Sequence, residues 1–498
     1  GTRIMGPQLC LIGMLVPAAA FRGSAIRAVP LLRRQSAVPS RLPPVALSSE
    51  PWEATWDPQT GSARITRASE AEDEDLCDIS KPTACGDPSS TPEWVSRLNE
   101  LQERGLGSVA LLLATAISLT LSNLGGTSRT WLALWSTPLP FSVAGHALSP
   151  RGWVNEGLMA VFFFVVGLEI KQEMRLGSLS SVKKALLPCI AAVGGMVTPV
   201  LVYLGVQRLP ALAGGSLAGL AVPMATDIAF AMAIFSFFRA RMPPSSAAFL
   251  LTLATVDDLG AILVLATCFA REVTLPFLAA AAAITGGLAL QNRNLQSDMR
   301  VYSAGGVALW WCLLRAGVSA DVAGVLAALC LSTRAMFCGE RLSERLITRL
   351  SPLSTFFIMP VFALANTAVP LGGILTSTGG AAASVGPAAG VGFGLLLGKP
   401  LGIFGATWAA CRLGVAQMPA SMRTAHLGVV SVLGAIGFTM CLLLTEVSMP
   451  AALQSLPKLV VLVSSALASC IGALMMSRLR PFEEGEEGGE ARTPVVVS

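Results

Sequence analysis

The sequence predicts an all-α polytopic membrane protein of about 12 transmembrane helices, arranged as inverted repeats with two interrupted helices, the fourth and the eleventh. Three observations predict it. First, the 498 residues are 53% hydrophobic and only 13% charged, whereas a soluble domain carries about 25% charged residues. Second, apolar segments recur through the chain at 107–125, 157–170, 186–206, 214–238, 245–270, 275–290, 300–316, 320–335, 352–372, 387–411, 424–446 and 457–477. Third, the loops between them alternate in basic content. One set holds Lys171, Arg175, Lys183, Lys184, Arg239, Arg241, Arg293, Arg300, Arg334, Arg341, Arg345, Arg349, Arg412, Arg423, Arg478 and Arg480. The opposite set holds only Arg129, Arg151, Arg208, Arg271 and Lys458. Basic loops stay on the cytosolic side, so the first set and both termini face the cytosol-equivalent compartment.

Composition also excludes. A net charge of +5 is too modest to suggest a nucleic-acid partner. Eleven cysteines without a CxxC pair, and two histidines, argue against a zinc site or a disulfide framework. Cys77 and Cys85, in the polar prefix, could pair with each other, and are read as two free thiols.

Residues 1–60 read as a targeting leader. No acid occurs before Glu50, while Arg3, Arg22, Arg27, Arg33, Arg34 and Arg41 do. The run Leu9 to Val16 is too short to span and is followed by Pro17-Ala18-Ala19-Ala20-Phe21, like a signal-peptide cleavage site. The Arg-, Ser- and Pro-rich stretch after it is transit-like, as in the bipartite leaders of plastids surrounded by extra membranes. A generic signal peptide and a mitochondrial leader are the alternatives. Residues 61–104 form a polar, acidic linker without expected structure (Glu70, Glu72, Asp73, Glu74, Asp75). The transmembrane domain covers 105–480, and 481–498 is an acidic, disordered tail.

Within the transmembrane domain the stretch Ser245 to Ala270 carries only two charges, Asp257 and Asp258. At about 1.5 Å per residue they lie roughly 18 Å from either end, near the midplane. A carboxylate there costs roughly 2.5–3.5 kcal/mol even on lenient scales, so these positions point to function. Segment 214–238 has one charge, Asp227, preceded by Pro223-Met224-Ala225-Thr226; proline removes an amide donor and should break the helix. Segment 424–446 places Gly434 and Gly437 mid-span. Interruptions at matching places in two halves, here spans three to five against ten to twelve, mark transporter binding sites. Lys399 is the only charge of 387–411. A buried ammonium calls for a carboxylate, either Asp257 or Asp258, as a purely structural bridge or as part of transport.

The motifs Asn155-Glu156-Gly157-Leu158-Met159-Ala160-Val161-Phe162-Phe163, Val166-Gly167-Leu168-Glu169, Pro223-Met224-Ala225-Thr226-Asp227-Ile228-Ala229-Phe230-Ala231, Val256-Asp257-Asp258-Leu259-Gly260-Ala261-Ile262, Gly398-Lys399-Pro400-Leu401-Gly402 and Gly437-Phe438-Thr439-Met440 resemble the NhaA family of sodium/proton antiporters. The resemblance runs in order from about 105 to 478. It implies that the broken fourth and eleventh helices cross near the midplane. It further implies that Asp258 is the main Na⁺- and proton-carrying carboxylate, with Asp257 beside it and Lys399 as the partner of Asp257. Thr226 and Asp227 would sit at the crossing, Asp227 offsetting the positive half-helix ends, and Glu169 and Glu173 resemble the family's pH-sensing acids. A solvated helix end near Lys171 and Arg175 is the other reading of those two glutamates. The family's histidine is Ser319 here, followed by a new acid, Asp321, and Glu156 replaces an aspartate; these changes bear on the pH set-point. The stretch around Gly145-His146 lies where the family forms a dimerising hairpin, which implies a homodimer.

Na⁺ is a hard cation and takes oxygen ligands, which two carboxylates, Thr226 and unwound carbonyls offer. If Na⁺ (or Li⁺) and H⁺ compete for the same carboxylates, exchange follows from competition plus alternating access, without a resident cofactor. An intramembrane aspartyl protease would need its second aspartate in a Gly-x-Gly-Asp context, and Asp257 follows Thr255-Val256. A cation channel would also use buried acids but could not move Na⁺ uphill.

Overall fold

A computed structural model describes residues 53–57, 62–66, 92–103, 105–140, 147–175, 177–209, 217–269, 273–293, 299–331, 336–337, 340–372, 380–419 and 421–482. Cys77, Cys85, the segment around Gly145 and His146 expected to form a hairpin, the tail beyond 482 and most of the leader lie outside them. Within residues 21–90, a compact unit by itself, Glu53–Asp57 pairs antiparallel with Ser62–Thr66. This hairpin straddles the boundary expected at 60 between leader and linker.

In the membrane region the helices are α1 (Glu93–Glu103), α2 (Leu106–Asn123), α3 (Ser128–Ser136), α4 (Pro150–Arg175), α5 (Val182–Gln207), α6 (Ile228–Phe237), α7 (Pro244–Cys268) and α8 (Leu275–Arg293). They continue with α9 (Met299–Ala316), α10 (Asp321–Cys330), α11 (Leu342–Asn366), α12 (Ala383–Arg412), α13 (Thr424–Leu433), α14 (Phe438–Ser448) and α15 (Ser455–Arg478). Among the described residues nine helical stretches are long and apolar enough to cross a bilayer, and ten if the bent pair α13–α14 is one span. The count of twelve expected from hydropathy also included 300–316 and 320–335. Here α9 falls short of that measure, with Arg300 and Arg315 near its ends, and α10 is only 10 residues long. The class remains all-helical and membrane-spanning. Helix α1 was not expected in a polar linker; its apolar residues are few, and Val95 is its buried contact.

Two interruptions organise the bundle. The stretch from Leu217 to Phe237 turns as a short 3₁₀ segment at Val222–Met224, runs extended through Ala225–Asp227 and restarts as α6. Pro223 lies inside the tight turn, where its missing amide breaks the helical ladder. The second interruption, Gly434 to Gly437, bends α13 against α14 by 44°. Each broken stretch lies in sequence between two unbroken ones, α5 and α7 in one half, α12 and α15 in the other.

Three spans contain a π turn, at Val154–Leu158 in α4, Ser354–Ile358 in α11 and Gly394–Gly398 in α12. The last two immediately precede Met359-Pro360 and Lys399-Pro400. The Lys399 amide reaches back five residues to the Gly394 carbonyl. A wider turn absorbs the clash and the missing donor that proline brings, and such turns favour functional sites.

Helix α5 packs along α12, and α4 along α10, at backbone distance. A Cβ on Gly402 would stand 2.2 Å from the Gly194 carbonyl oxygen, and one on Gly324 would stand 2.0 Å from that of Ala160. Because the obstacle is backbone, a side chain there must push the helices apart. Gly324→Ala is therefore expected to lower the melting temperature in detergent, overpacking costing about 1–3 kcal/mol. An unchanged melting temperature would contradict the α4–α10 contact.

Candidate functional site

At the crossing, each broken segment satisfies the other's exposed peptide groups. The Asp227 amide donates to the Ile436 carbonyl at 2.7 Å. Thr226 Oγ1 donates to the Gly434 carbonyl at 2.9 Å, and Cys441 Sγ to that of Ala225 at 3.5 Å. Phe230 and Phe438, one from each restarted helix, stack with centroids 5.8 Å apart.

Asp227 caps α6. Its Oδ1 accepts the Phe230 amide at 3.0 Å, and its Oδ2 accepts both the Thr439 amide at 3.0 Å and Thr439 Oγ1 at 2.6 Å. The carboxylate thus meets the positive N-terminal ends of both α6 and α14. Lys399 does the reverse. Its Nζ donates to the Met224 carbonyl at 2.6 Å, at the end of the 3₁₀ turn, and to Asp257 Oδ2 at 2.7 Å. Lys399 and Asp257 are 0% and 1% exposed at the side chain. Of the two acids that the residue pattern left open, the ammonium meets Asp257.

Asp258 is engaged differently. It borders a cavity of about 890 Å³ whose lining runs from Asn99, Gln102, Gly177 and Ser351 to Asp258 in mid-helix and Asp227 and Thr439 at the crossing. Gly177 lies between Arg175, at the end of α4, and Lys183 and Lys184, at the start of α5, so the cavity reaches the basic end of the bundle. Glu169 and Glu173 line the same cavity. Glu173 Oε1 accepts a hydrogen bond from Thr252 Oγ1 at 3.2 Å, which ties α4 to the aspartate helix α7. Asp257, Thr226 and Lys399 do not border the cavity. One oxygen of each neighbouring acid, Asp257 Oδ1 and Asp258 Oδ1, is sealed from solvent and has no hydrogen-bond partner. The unsatisfied oxygen of Asp258, which borders the cavity, and that of its neighbour Asp257 suit a hard cation or a proton as cargo.

The residue pattern missed two other charged groups. Lys171 is not at a solvated helix end: it is 8% exposed, and its Nζ donates to the Ala328, Leu329 and Leu331 carbonyls that end α10. Glu446 binds Lys458 Nζ and lies 3.6 Å from Arg151 Nε. Both contacts join residues distant in sequence, and no local spacing signals them.

A helical membrane protein with a buried acid–lysine pair, a neighbouring carboxyl on a cavity and two broken segments crossing at that site belongs to the class of ion-carrying secondary transporters. A sequence profile of the Na⁺/H⁺ antiporter 1 family matches residues 99–476. The chain is 40% identical over 389 residues to the Na⁺/H⁺ antiporter NhaA of Caulobacter vibrioides, covering 77% of this chain and 91% of that protein. It is 39% identical over 380 residues to Na⁺/H⁺ antiporter NhaA 2 of Novosphingobium aromaticivorans, covering 75% and 94%. It is 37% identical over 380 residues to NhaA of Proteus mirabilis, covering 75% and 95%. The chain belongs to this family of Na⁺/H⁺ antiporters.

Removing one member of a buried ion pair leaves an uncompensated charge, at a cost of about 3–5 kcal/mol, whereas removing both is milder. Lys399→Gln alone should lower the melting temperature, and adding Asp257→Asn should recover much of the loss, a non-additive cycle. Strictly additive losses across both singles and the double would mean that the two groups do not interact.

Proposed function

We propose that this chain is a secondary active transporter exchanging Na⁺ (or Li⁺) for H⁺ across a membrane, by competition at Asp258 and Asp257 with alternating access. Na⁺ and H⁺ are cargo, and the exchange uses no resident cofactor. The observation that carries the reading is the pair of buried, unpartnered oxygens on the adjacent Asp257 and Asp258, the second of which borders the cavity. Membership of an antiporter family supports the same activity, and no enzyme or channel is named among the relatives above. The protease reading has no use for Lys399, which occupies one oxygen of Asp257.

The roles divide by hydrogen bonding. Asp227, with three donors, serves as a fixed counter-charge at the crossing, and Thr226 holds the opposing segment. Lys399 neutralises Asp257 until a cation replaces it. Asp258, on the cavity, takes the cation or the proton that arrives. Pro223, Gly434 and Gly437 supply the unwound backbone whose carbonyls can add ligands. Glu169 and Glu173 lie on the cation's route and are the candidates for pH sensing.

The reading extends to two features outside the described residues. The leader addresses the protein to an organelle, with a plastid membrane as the destination its composition favours, and the segment around Gly145-His146 joins two copies as a homodimer within the bilayer. A fluorescent fusion of residues 1–92 reporting any other compartment would remove the plastid assignment. Truncation before Glu93, which spares the hairpin's pairing from being cut at 60, should leave exchange intact in antiporter-deficient bacteria; unrestored salt tolerance with normal membrane insertion would show that the segment is needed.

Everted vesicles test the activity directly. Na⁺ or Li⁺ added to vesicles holding a pH gradient should dissipate it, while Asp258→Asn should reduce the response to background with normal insertion. Asparagine keeps the shape of aspartate but cannot exchange a proton for a cation. Normal Na⁺-driven proton movement by Asp258→Asn would sink the assignment, and a scan with K⁺ sets the selectivity.

A further inference from the structure

Asp258 does not stand alone on its side of the cavity. Leu251, Thr255 and Asp258 all border it, and all belong to α7. Their spacing, i, i+4 and i+7, puts them on one stripe of the helix. Helix α7 starts at Pro244, just after Arg239 and Arg241. Thr255 therefore lies one turn, about 4.5 Å, nearer the basic end than Asp258. A cation arriving from that end reaches Thr255 first.

The two threonine hydroxyls at this depth spend their protons elsewhere. Thr255 Oγ1 donates to the Leu251 carbonyl at 2.7 Å. Thr439 Oγ1, across the cavity lining, donates to Asp227 Oδ2 at 2.6 Å. A hydroxyl has one proton and two acceptor lone pairs, so each can only accept from what occupies the cavity. Thr255 thus cannot satisfy Asp258, whose Oδ1 is sealed from solvent without a hydrogen-bond partner. Along one stripe of α7, a hydroxyl oxygen and a carboxyl present acceptors with no donor between them.

Among the described residues no three acidic, thiol or imidazole groups converge on one point. A hard cation surrounds itself with several oxygens, so one held by Asp258 needs neutral ligands as well. Thr226, the hydroxyl expected for that task, is 0% exposed, does not border the cavity and donates to the Gly434 carbonyl.

We propose that Thr255 is a further cation ligand, its Oγ1 coordinating Na⁺ or Li⁺ together with Asp258 on the cavity side of α7. The assignment rests on the exchange reading above and deepens it by naming a neutral ligand of the same site. Because its proton is committed to the Leu251 carbonyl, this oxygen is preorganised to accept and does not titrate. It strengthens cation binding without adding a proton to the exchange, and so sets apparent cation affinity independently of the acids.

Exchange by the full chain in everted vesicles, recorded against Na⁺ and Li⁺ concentration, tests this. Thr255→Val keeps the shape and loses the oxygen, and the Leu251 carbonyl still receives the helical amide of residue 255. The expected result is a KM for both cations raised about tenfold, as for one lost polar contact, with the maximal rate kept, as for a ligand that binds without driving the later step. Thr255→Ser, which restores the oxygen, should restore the KM. If Thr255→Val does not insert, Thr255→Ala replaces it in the comparison with Thr255→Ser. A parent that exchanges while the valine or alanine variant keeps its KM would overturn the assignment alone, leaving water as the partner of that hydroxyl. Equal losses in the serine and valine variants would also overturn it, because the methyl group and not the oxygen would then matter. A parent without cation-driven proton movement would remove the exchange reading and this ligand with it.

Discussion

Backbone groups uncovered inside a membrane must find partners within the protein, since hydrocarbon offers none. That constraint shapes the whole site. Breaking two helices side by side exposes amides and carbonyls, and each orphan left buried would cost about 1–3 kcal/mol. The amide of Asp227, the carbonyls of Gly434, Ile436 and Ala225, and the side chains of Thr226 and Cys441 settle it by pairing across the crossing. What remains are the half-helix ends, positive at α6 and α14 and negative at Met224. Asp227 meets the first two and Lys399 the third. Two of the four midplane charges therefore serve the backbone before they serve any ion.

This ordering separates acids that composition alone makes equivalent. Asp227 is saturated by three donors. Asp257 is half engaged, with one oxygen on Lys399 and one unpartnered. Asp258 borders the cavity and has an unpartnered oxygen. Of the three, Asp258 alone combines an unpartnered oxygen with a place on the cavity. Consecutive residues on a helix point about 100° apart, so Asp257 and Asp258 were bound to differ in this way.

Much of this was legible in the sequence, and the reason is that membranes make charge expensive. Asp257, Asp258, Asp227 and Lys399 stand out because each is nearly alone in an apolar segment, and Pro223 and the Gly434–Gly437 pair mark chain that cannot stay helical. Features that depend on long-range contact were not legible. Lys171 looks like a loop lysine until α10 brings its terminal carbonyls to it. Arg151, Glu446 and Lys458 come from three separate segments. The π turns leave no hydropathy signal beyond the proline that follows two of them. The count of twelve goes beyond the stretches that pass a length and hydropathy measure where helices are short or carry charges, as in α10 and α9.

The distribution of glycine contacts adds a last constraint. Backbone contact at Gly194–Gly402 locks α5 to α12, and at Gly324–Ala160 it locks α10 to α4. Such interfaces are close-packed and resist gradual sliding. Between these two pairs lie contacts of another kind: Thr252 with Glu173, Lys399 with Asp257, and the cavity that Asp258 lines. Hydrogen bonds and ion pairs can exchange partners, whereas a glycine-to-carbonyl contact has no alternative arrangement at similar energy. The contacts at this site that can exchange partners therefore lie in the polar seam around Asp257 and Asp258, flanked by the two close-packed helix pairs.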